Sequence, residues 1–421
     1  MPEPAVAVGL VLPDLPRTVA EEHMQELAEL IDSAGGAVVA AVLAKRQRPD
    51  PATFIGSGKA EEIKRLAGER GATMIIFDDD LSPAQVRNLE KIVGVKVIDR
   101  SGLILDIFSS RARTREARTQ VELARLEYLL PRLTRQWSHL SRQAGGAGGG
   151  AKRGVGETQL ELDRRIVRTR ISRLKEDLTR IEQNRETQRK ARRAAFTVAL
   201  VGYTNAGKST LFNQLTAGGA EAMNKLFATL DSRSQKAAFA MPRETVVIDT
   251  VGFIRKLPHH LVASFRSTME EAVAADVVLH LIDGSHPQWE DQRRIGQEVL
   301  ADLGVGDDRV VEVFNKADRL DEHFSVPRRD KAAVVSALTG KGLEALQETI
   351  RRRQLAAGEL MLVLLPHDDA RLAARLHEVG EVYEQKTTDE GTLFRAWIPR
   401  DAVHLFEPFM SEPVLQTAKV S

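Results

Sequence analysis

At 421 residues the chain exceeds one small domain, and a prior of about one domain per 150 residues predicts two or three. Its 60 Lys+Arg nearly balance 59 Asp+Glu, so the net charge of +1 argues neither for nor against nucleic acid and local distribution must decide. Cysteine is absent, which excludes disulfides, Cys-ligated zinc and thiol nucleophiles. The proline-broken start MPEPAVAVGLVLPDLP lacks the basic region of a signal peptide, and no apolar run approaches the ~18 residues of a membrane span. The expectation is a soluble, cytoplasmic protein of several domains.

Residues 1–110 alternate short apolar runs with amphipathic stretches. The runs Val6–Leu12, Ala37–Leu43, Thr73–Phe77 and Val95–Asp99 predict strands, and Val19–Ile31, Ala60–Leu66 and Pro83–Ile92 predict helices. Such alternation implies an N-terminal α/β domain with a mostly parallel sheet.

Residues 111–194 change character. Leu123, Leu126, Leu130, Leu133, Trp137 and Leu140 recur at spacings of three and four, as do Val167, Ile171, Leu174, Leu178 and Ile181. Between the two stripes a glycine-rich loop over 144–156 cannot hold a helix, so an antiparallel helical hairpin is predicted, with arms of ~25 residues and ~38 Å. Residues 111–195 carry 22 Lys+Arg against 10 Asp+Glu, a net +12 that leaves about −11 for the rest. A basic stripe on a projecting element is a footprint for phosphate backbones, and the bland alternative is a solvated coiled-coil face.

The α/β rhythm returns over 195–357. A small α+β domain is predicted for 358–421, from strands at Met361–Leu365, Val382–Gln385 and Leu393–Ile398 and a helix at Ala370–Val379. The fold class is therefore multidomain α/β.

The chemistry is concentrated in the third segment. The apolar run Phe196–Val201 leads into Gly202, Tyr203, Thr204, Asn205, Ala206, Gly207, Lys208, Ser209 and Thr210, which matches G-x-x-x-x-G-K-[ST]. Glycines at these spacings let backbone N–H groups curl around phosphates at a helix N-terminus. Lys208 would reach the β/γ oxygens and Ser209 would ligate Mg2+. Asp249 closes another apolar strand, with Gly252 three residues on; the carboxylate can hold magnesium through water and the Gly252 N–H can meet a γ-phosphate. Asn315, Lys316 and Asp318 follow a further strand, and Ser336 and Ala337 another.

Asp318 selects the base. Its carboxylate can accept the two edge donors of guanine, whereas adenine would face it with a lone pair, a difference worth about 10⁴–10⁵ in sites built on such bonds. Thr229, 20 residues after Ser209 and 20 before Asp249, is the candidate switch threonine and magnesium ligand; Thr216 and Ser232 are weaker candidates. Phe253 stands where many GTPases carry a water-orienting glutamine, so unaided turnover of about 10⁻³ s⁻¹ or less is expected. Asn205 reads two ways: its carbonyl could hold a potassium ion against the phosphates, or its side chain could simply hydrogen-bond the loop.

Further runs narrow the reading: FIGSGKAEEI (54–63), IIFDDDLSPAQVRNLE (75–90), VIDRSGLILDIFSSRARTREARTQVELARLEYLLPRL (97–133), GETQLELDRR (156–165) and DTVGFIRKLPHHLVASFRSTMEE (249–271). With the guanine set they resemble the HflX family of ribosome-associated GTPases, over roughly residues 5–355. The resemblance implies binding to the ribosome, chiefly its large subunit, with ribosome-stimulated GTP hydrolysis and a role in splitting or rescuing ribosomes under stress. It implies that the glycine-rich loop probes ribosomal RNA near the peptidyl-transferase region. Arg153, Gly154, Gly156 and Glu157 match the family pattern, and Lys152, Arg153, Gly154 and Gly156 are the candidate RNA contacts; no DNA partner is expected. The chain departs from the family at Val155 and Ser232, where proline is usual.

Two other signals point elsewhere. The GSGK turn (56–59) and Asp78–Asp80 faintly echo a second nucleotide site, and the rival reading is an RNA remodeller using ATP at the N-terminal domain with the GTPase as regulator. His259 and His260 lack further ligands at zinc spacing and read as exposed loop residues.

Overall fold

The structure is a computed structural model that describes residues 2–133, 155–191, 195–216, 226–227, 229–239, 241, 244–256, 269, 271–320, 324, 326, 332–400 and 402–411. The first 111 residues run β1 (Glu3–Val11), α1 (Arg17–Ser33), β2 (Gly36–Lys45), α2 (Ser57–Arg70), β3 (Met74–Phe77), α3 (Pro83–Val93), β4 (Lys96–Ile98) and α4 (Arg100–Arg111). The four strands are parallel in the order β2-β1-β3-β4. Alternate side chains of β1 point to opposite faces. Ala5 and Ala7 join Leu27, Leu30 and Ile31 of α1 and Ile104 and Phe108 of α4 on one side, while Val6 and Val8 join Ile63 of α2 and Leu89 of α3 on the other.

Local chemistry fixes where the helices begin and end. Before α3, Ser82 accepts from the Gln85 N–H while Gln85 returns a bond to the Ser82 backbone, Pro83 sits in the first turn, and Gly94 ends the helix at φ +77°. Fully burying a leucine such as Leu27 contributes roughly 1.5–3 kcal/mol, and its truncation to Ala would cost about 2–5 kcal/mol. The expected helix Ala60–Leu66 is longer on both sides, and α4 has no counterpart among the expected helices, because its nearly all-round burial leaves no amphipathic period.

The second segment departs from expectation at one proline. Helix α5 (Arg115–Leu129) gives way to a 3₁₀ turn at Leu130–Arg132 rather than running on through Leu133. Pro131 has no N–H to donate and its ring crowds the carbonyl four residues back. Trp137 and Leu140 lie outside the described residues. Helix α6 spans Val155–Ala191, 37 residues or about 55 Å at 1.5 Å each, so the two helices are unequal. Leu174 is buried, and Val167, Ile171, Leu178 and Ile181 are half-buried on the same stripe. Arg170 pairs with Glu122 and Lys175 with Glu127.

A second sheet follows: β5 (Phe196–Gly202), α7 (Lys208–Leu215), β6 (Arg233–Lys236), β7 (Thr245–Asp249), β8 (Val277–Asp283), α8 (Trp289–Asp302), β9 (Val310–Asn315), β10 (Ala332–Val334) and α9 (Leu343–Ala356). Its order is β10-β9-β8-β5-β7-β6, parallel except for β6 against β7. Four strands end on site residues: β5 on Gly202, β7 on Asp249, β8 on Asp283 and β9 on Asn315. Ligands of open α/β sheets lie beyond those carboxyl ends. Finally β11 (Gly358–Leu365), α10 (Ala370–Val379), β12 (Glu381–Thr388) and β13 (Gly391–Pro399) give an antiparallel sheet, β11-β13-β12, around Met361, Val363, Leu376 and Phe394.

The first two sheets share one hydrophobic cluster, in which α1 and α4 meet Tyr203, Phe227, Val251 and Phe253. Phe108 stacks edge-on against Phe227 at 4.7 Å, and the Leu226 N–H donates to Ser33 Oγ at 3.1 Å. Asp231 accepts from the backbone of Arg113 (2.9 Å) and Thr114 (3.2 Å), at the start of α5. Among the described residues no helix is long and apolar enough to cross a membrane.

Candidate nucleotide site

The loop between β5 and α7 is shaped by glycine at the positions where a side chain cannot fit. Gly207 has φ +94°, and a Cβ there would lie 2.2 Å from Asn315 Nδ2. Lys208 opens α7 with its side chain buried, and its Nζ donates to the carbonyls of Gly202 (3.1 Å) and Tyr203 (2.9 Å). Burial lowers its pKa to about 8, against the opposing pull of Asp249. An ammonium held dry and aimed at the loop's own carbonyls is a ready partner for phosphate oxygens. Thr210 lies in the first turn of α7, half-buried, and Ala206 is buried beneath the loop.

Around Lys208 three oxygens converge. Ser209 Oγ lies 2.9 Å from both Thr229 Oγ1 and Asp249 Oδ2, and Thr229 Oγ1 donates to the same Oδ2 at 3.0 Å. Asp249 Oδ1 is buried with no partner among the described residues, and burial pushes the carboxyl's pKa up despite Lys208. Two hydroxyls and an acid with one orphaned oxygen are a hard donor set of the kind magnesium takes, usually together with water. Of the rival threonines, Thr216 turns away: its Oγ1 donates to Phe212 O at 2.7 Å at the end of α7.

The segment after Asp249 is sewn onto the loop. Phe253 N–H donates to Gly202 O (2.9 Å) and Thr204 N–H to Phe253 O (2.7 Å). A Cβ on Gly252 would meet Lys208 Nζ at 2.8 Å and Thr204 Cγ2 at 2.9 Å. Phe253 is buried in the core, so its ring packs and does no polar work.

The candidate base end is equally tied. Asn315 Nδ2 donates to Ala206 O (2.8 Å), and Asn315 Oδ1 accepts from the Ala337 N–H (2.9 Å), linking phosphate loop to the turn after β10. Lys316, in the left-handed region at φ +61°, pairs with Asp283 Oδ2 at 2.7 Å. The Ser336 hydroxyl donates to Asp318, holding that carboxyl below its ordinary pKa and therefore ionised. An ionised acceptor is what the two guanine donors require.

Three family models match in tandem, described as "GTP-binding GTPase N-terminal" over 21–109, "GTP-binding GTPase Middle Region" over 111–192 and "50S ribosome-binding GTPase" over 197–316. The GTPase HflX of Magnetococcus marinus is 44% identical over 399 residues, covering 93% of this chain and 91% of that protein. The chain belongs to the HflX family of GTPases. The Escherichia coli GTPase HflX is 41% identical over 379 residues, with 88% of each chain covered, and that of Caldanaerobacter subterraneus is 43% identical over 378, with 89% and 87% covered. Among solved structures, the SsGBP–GDP complex is similar over 84% of this chain and 98% of its own, at 24% identity and a TM-score of 0.49.

Within this HflX-family chain, Lys152, Arg153 and Gly154 lie outside the described residues, as do His259 and His260, and Gly156 falls in the first turn of α6. Asn205 is exposed at φ +62° on the rim of a cavity of about 80 Å³, near Glu22, Glu29 and Asp283. Sequence reading missed Asp283, Asp231 and the contacts of Tyr203, whose partners stand between roughly 30 and 180 positions away. No local spacing carries such pairings.

Proposed function

We propose that the chain is a GTP-hydrolysing switch of the cytoplasm that docks on the large ribosomal subunit and acts in splitting or rescuing ribosomes. The carrying observation is the convergence of Ser209, Thr229 and Asp249 beside the buried Lys208, with Asp249 Oδ1 orphaned. Backbone N–H groups of 202–210 cradle the phosphates, and Lys208 holds charge on the transferring phosphoryl group. Ser209 and Thr229 would ligate magnesium and Asp249 would hold it through water; the ion would supply positive charge to the phosphates. Gly252 offers its N–H to the γ-phosphate. Asn315 and Lys316 brace the base pocket, Asp318 selects guanine, and the turn at Ser336 and Ala337 closes it. The Asn205 carbonyl is the candidate ligand for potassium.

Phe253 has no group to orient water, so the hydrolytic water is placed by backbone and by the ribosome. Helices α5 and α6 form the two sides of a basic hairpin, and the glycine-rich stretch before α6, together with that helix's first turn, presents Lys152, Arg153, Gly154 and Gly156 to ribosomal RNA. Hydrogen bonds from Thr229's segment to the start of α5, through Asp231, give the nucleotide state a route to that hairpin.

The deciding experiment is multiple-turnover GTP hydrolysis, alone and with small subunits, large subunits or whole ribosomes, in potassium and in sodium. Stimulation by large subunits, absent in Lys208→Ala, is expected. Tight GTP binding with no stimulation by any ribosomal particle would refute the ribosomal half.

A further inference from the structure

Beyond the phosphate loop itself, a charge cluster joins the N-terminal helix α1 to two loops of the nucleotide site, at Tyr203 and at Arg255. Glu26 of α1 is its centre. One carboxylate oxygen accepts from Arg100, whose other guanidinium arm donates to Asp78 Oδ1 at 2.6 Å. The second oxygen accepts from the hydroxyl of Tyr203, the first residue after Gly202 in the phosphate loop, and stands 3.4 Å from Arg255 Nε. The Tyr203 hydroxyl in turn accepts the Arg255 backbone N–H at 2.9 Å, and Arg100 donates to the Arg255 carbonyl at 3.2 Å. Next along the chain, Lys256 reaches Asp78 Oδ2 at 2.7 Å and Asp79 Oδ1 at 2.6 Å.

These contacts close a triangle. Tyr203 belongs to the phosphate loop, Arg255 follows Gly252 by three residues, and Glu26 comes from another sheet layer altogether. Tyr203 and Arg100 are almost wholly buried, so the bonds act in a dry setting where each is strong and an unpaired member is costly. Burial and Glu26 both hold the tyrosine protonated, so it donates to the acid and can still accept from Arg255. In the same structure Thr229 lies turned in against Ser209 and Asp249. The triangle therefore coexists with an inward switch threonine rather than with an open one.

We infer that Glu26 is a positioning residue for GTP hydrolysis: through Tyr203 and Arg255 it sets how closely the Gly252–Phe253 backbone lies against the phosphate loop. This rests on the reading of Gly252 as a γ-phosphate donor. It matters here because Phe253 supplies no side-chain group to the water, which leaves backbone placement to do that task, and misplacement of about 1 Å can cost as much as a hundredfold. GDP has no γ-phosphate, so its binding does not draw on that placement.

The test uses the full chain. Glu26→Gln keeps size and one acceptor oxygen but removes the charge that draws Tyr203 and Arg255 together. Single-turnover hydrolysis at saturating GTP should fall by about tenfold or more, while affinity for a fluorescent GDP analogue stays within about twofold. Tyr203→Phe should slow the same step, and the double variant should be no slower than the worse single one, since both act through one triangle. An unchanged or faster rate in Glu26→Gln would overturn the inference, as would a parallel loss of GDP affinity. Should Glu26→Gln fail to fold, Tyr203→Phe, which removes a single oxygen, decides on rate alone. Lys208→Ala keeps the two readings apart: wild-type hydrolysis in that variant would sink the site itself, whereas a silent Glu26→Gln beside an inactive Lys208→Ala sinks only the positioning role.

Discussion

Of the glycine turns that lead into helices among the described residues, those before α2 and α7 both place a lysine in the first helical turn, and only the second has the parts of a phosphate site. Gly56, at φ +88°, leads into α2 with Ser57, Gly58 and Lys59. Gly207, at φ +94°, leads into α7 with Lys208 and Ser209. Both glycines have positive φ, although ψ is 147° at Gly56 and 23° at Gly207, and a cavity of about 420 Å³ lies beside the first. What surrounds the two differs. Lys59 reaches along its own helix to Glu62 at 2.8 Å, and the Arg46 guanidinium occupies the space where a Gly56 side chain would point. Asp78, the acid after a strand that corresponds to Asp249, is paired with Arg100 and Lys256. At the second turn Lys208 is buried, and a neighbouring strand delivers an acid with an orphaned oxygen. A phosphate site is therefore a turn together with a second strand's carboxylate.

The largest expected effect tests that contrast directly. Lys208→Ala should lower single-turnover GTP hydrolysis by roughly 10²–10³-fold, whereas Lys59→Ala should leave both GTP and ATP turnover at the wild-type level. Loss of ATP turnover in Lys59→Ala, with Lys208→Ala retaining it, would break the comparison and favour an ATP-driven N-terminal unit. Next, Asp318→Asn should weaken GTP binding by about a hundredfold, as charge-assisted bonds to both guanine donors are lost, and should shift preference toward xanthine nucleotides. Equilibrium titration with GTP and XTP reads both.

The beds beneath the turns differ too. His280 lies fully buried in β8, and burial, followed by the charges of Arg293 and Lys208, lowers its pKa to about 3. Its folded pKa is thus below the ordinary value of 6.5, so the unfolded chain binds more protons in that window. Stability is complete above pH 6.5 and falls by about 1.4 kcal/mol per unit on the way down toward 3. From pH 7 to pH 5 this one group should cost about 2 kcal/mol in urea denaturation, and His280→Leu should lose correspondingly less. A smaller effect is expected at Gly252→Ala, where the added Cβ would crowd Lys208 and Thr204. Hydrolysis should drop by about tenfold with GDP affinity less affected, measured on one preparation.

Much of the site was legible before any fold was known, because its parts are local. Gly202, Gly207, Lys208 and Ser209 sit in one turn, Asn315 to Asp318 in another, and a β-strand must end on Asp249 for its carboxyl to reach the loop. The strands of the first sheet were legible for the same reason, their apolar runs being short and bounded. Pro131 is equally visible, but the apolar stripe through Leu130 and Leu133 points to a continuing helix, and in the structure the missing N–H prevails. Helix α4 was hidden by its own burial, since a segment packed on nearly every side has no polar face to give the helical period away.

Sequence by itself picked out the candidate phosphate and base contacts, since backbone turns and their side chains are specified within a few residues. Tertiary structure supplied the contacts of Thr229, which spacing had already put ahead of Thr216, by bringing its hydroxyl onto Ser209 and Asp249. It alone decided that Tyr203 answers to Glu26 and Asp231 to Thr114, across 177 and 117 positions. Such pairings arise where two sheets share one core, and burial, not spacing, selects which charges must find each other.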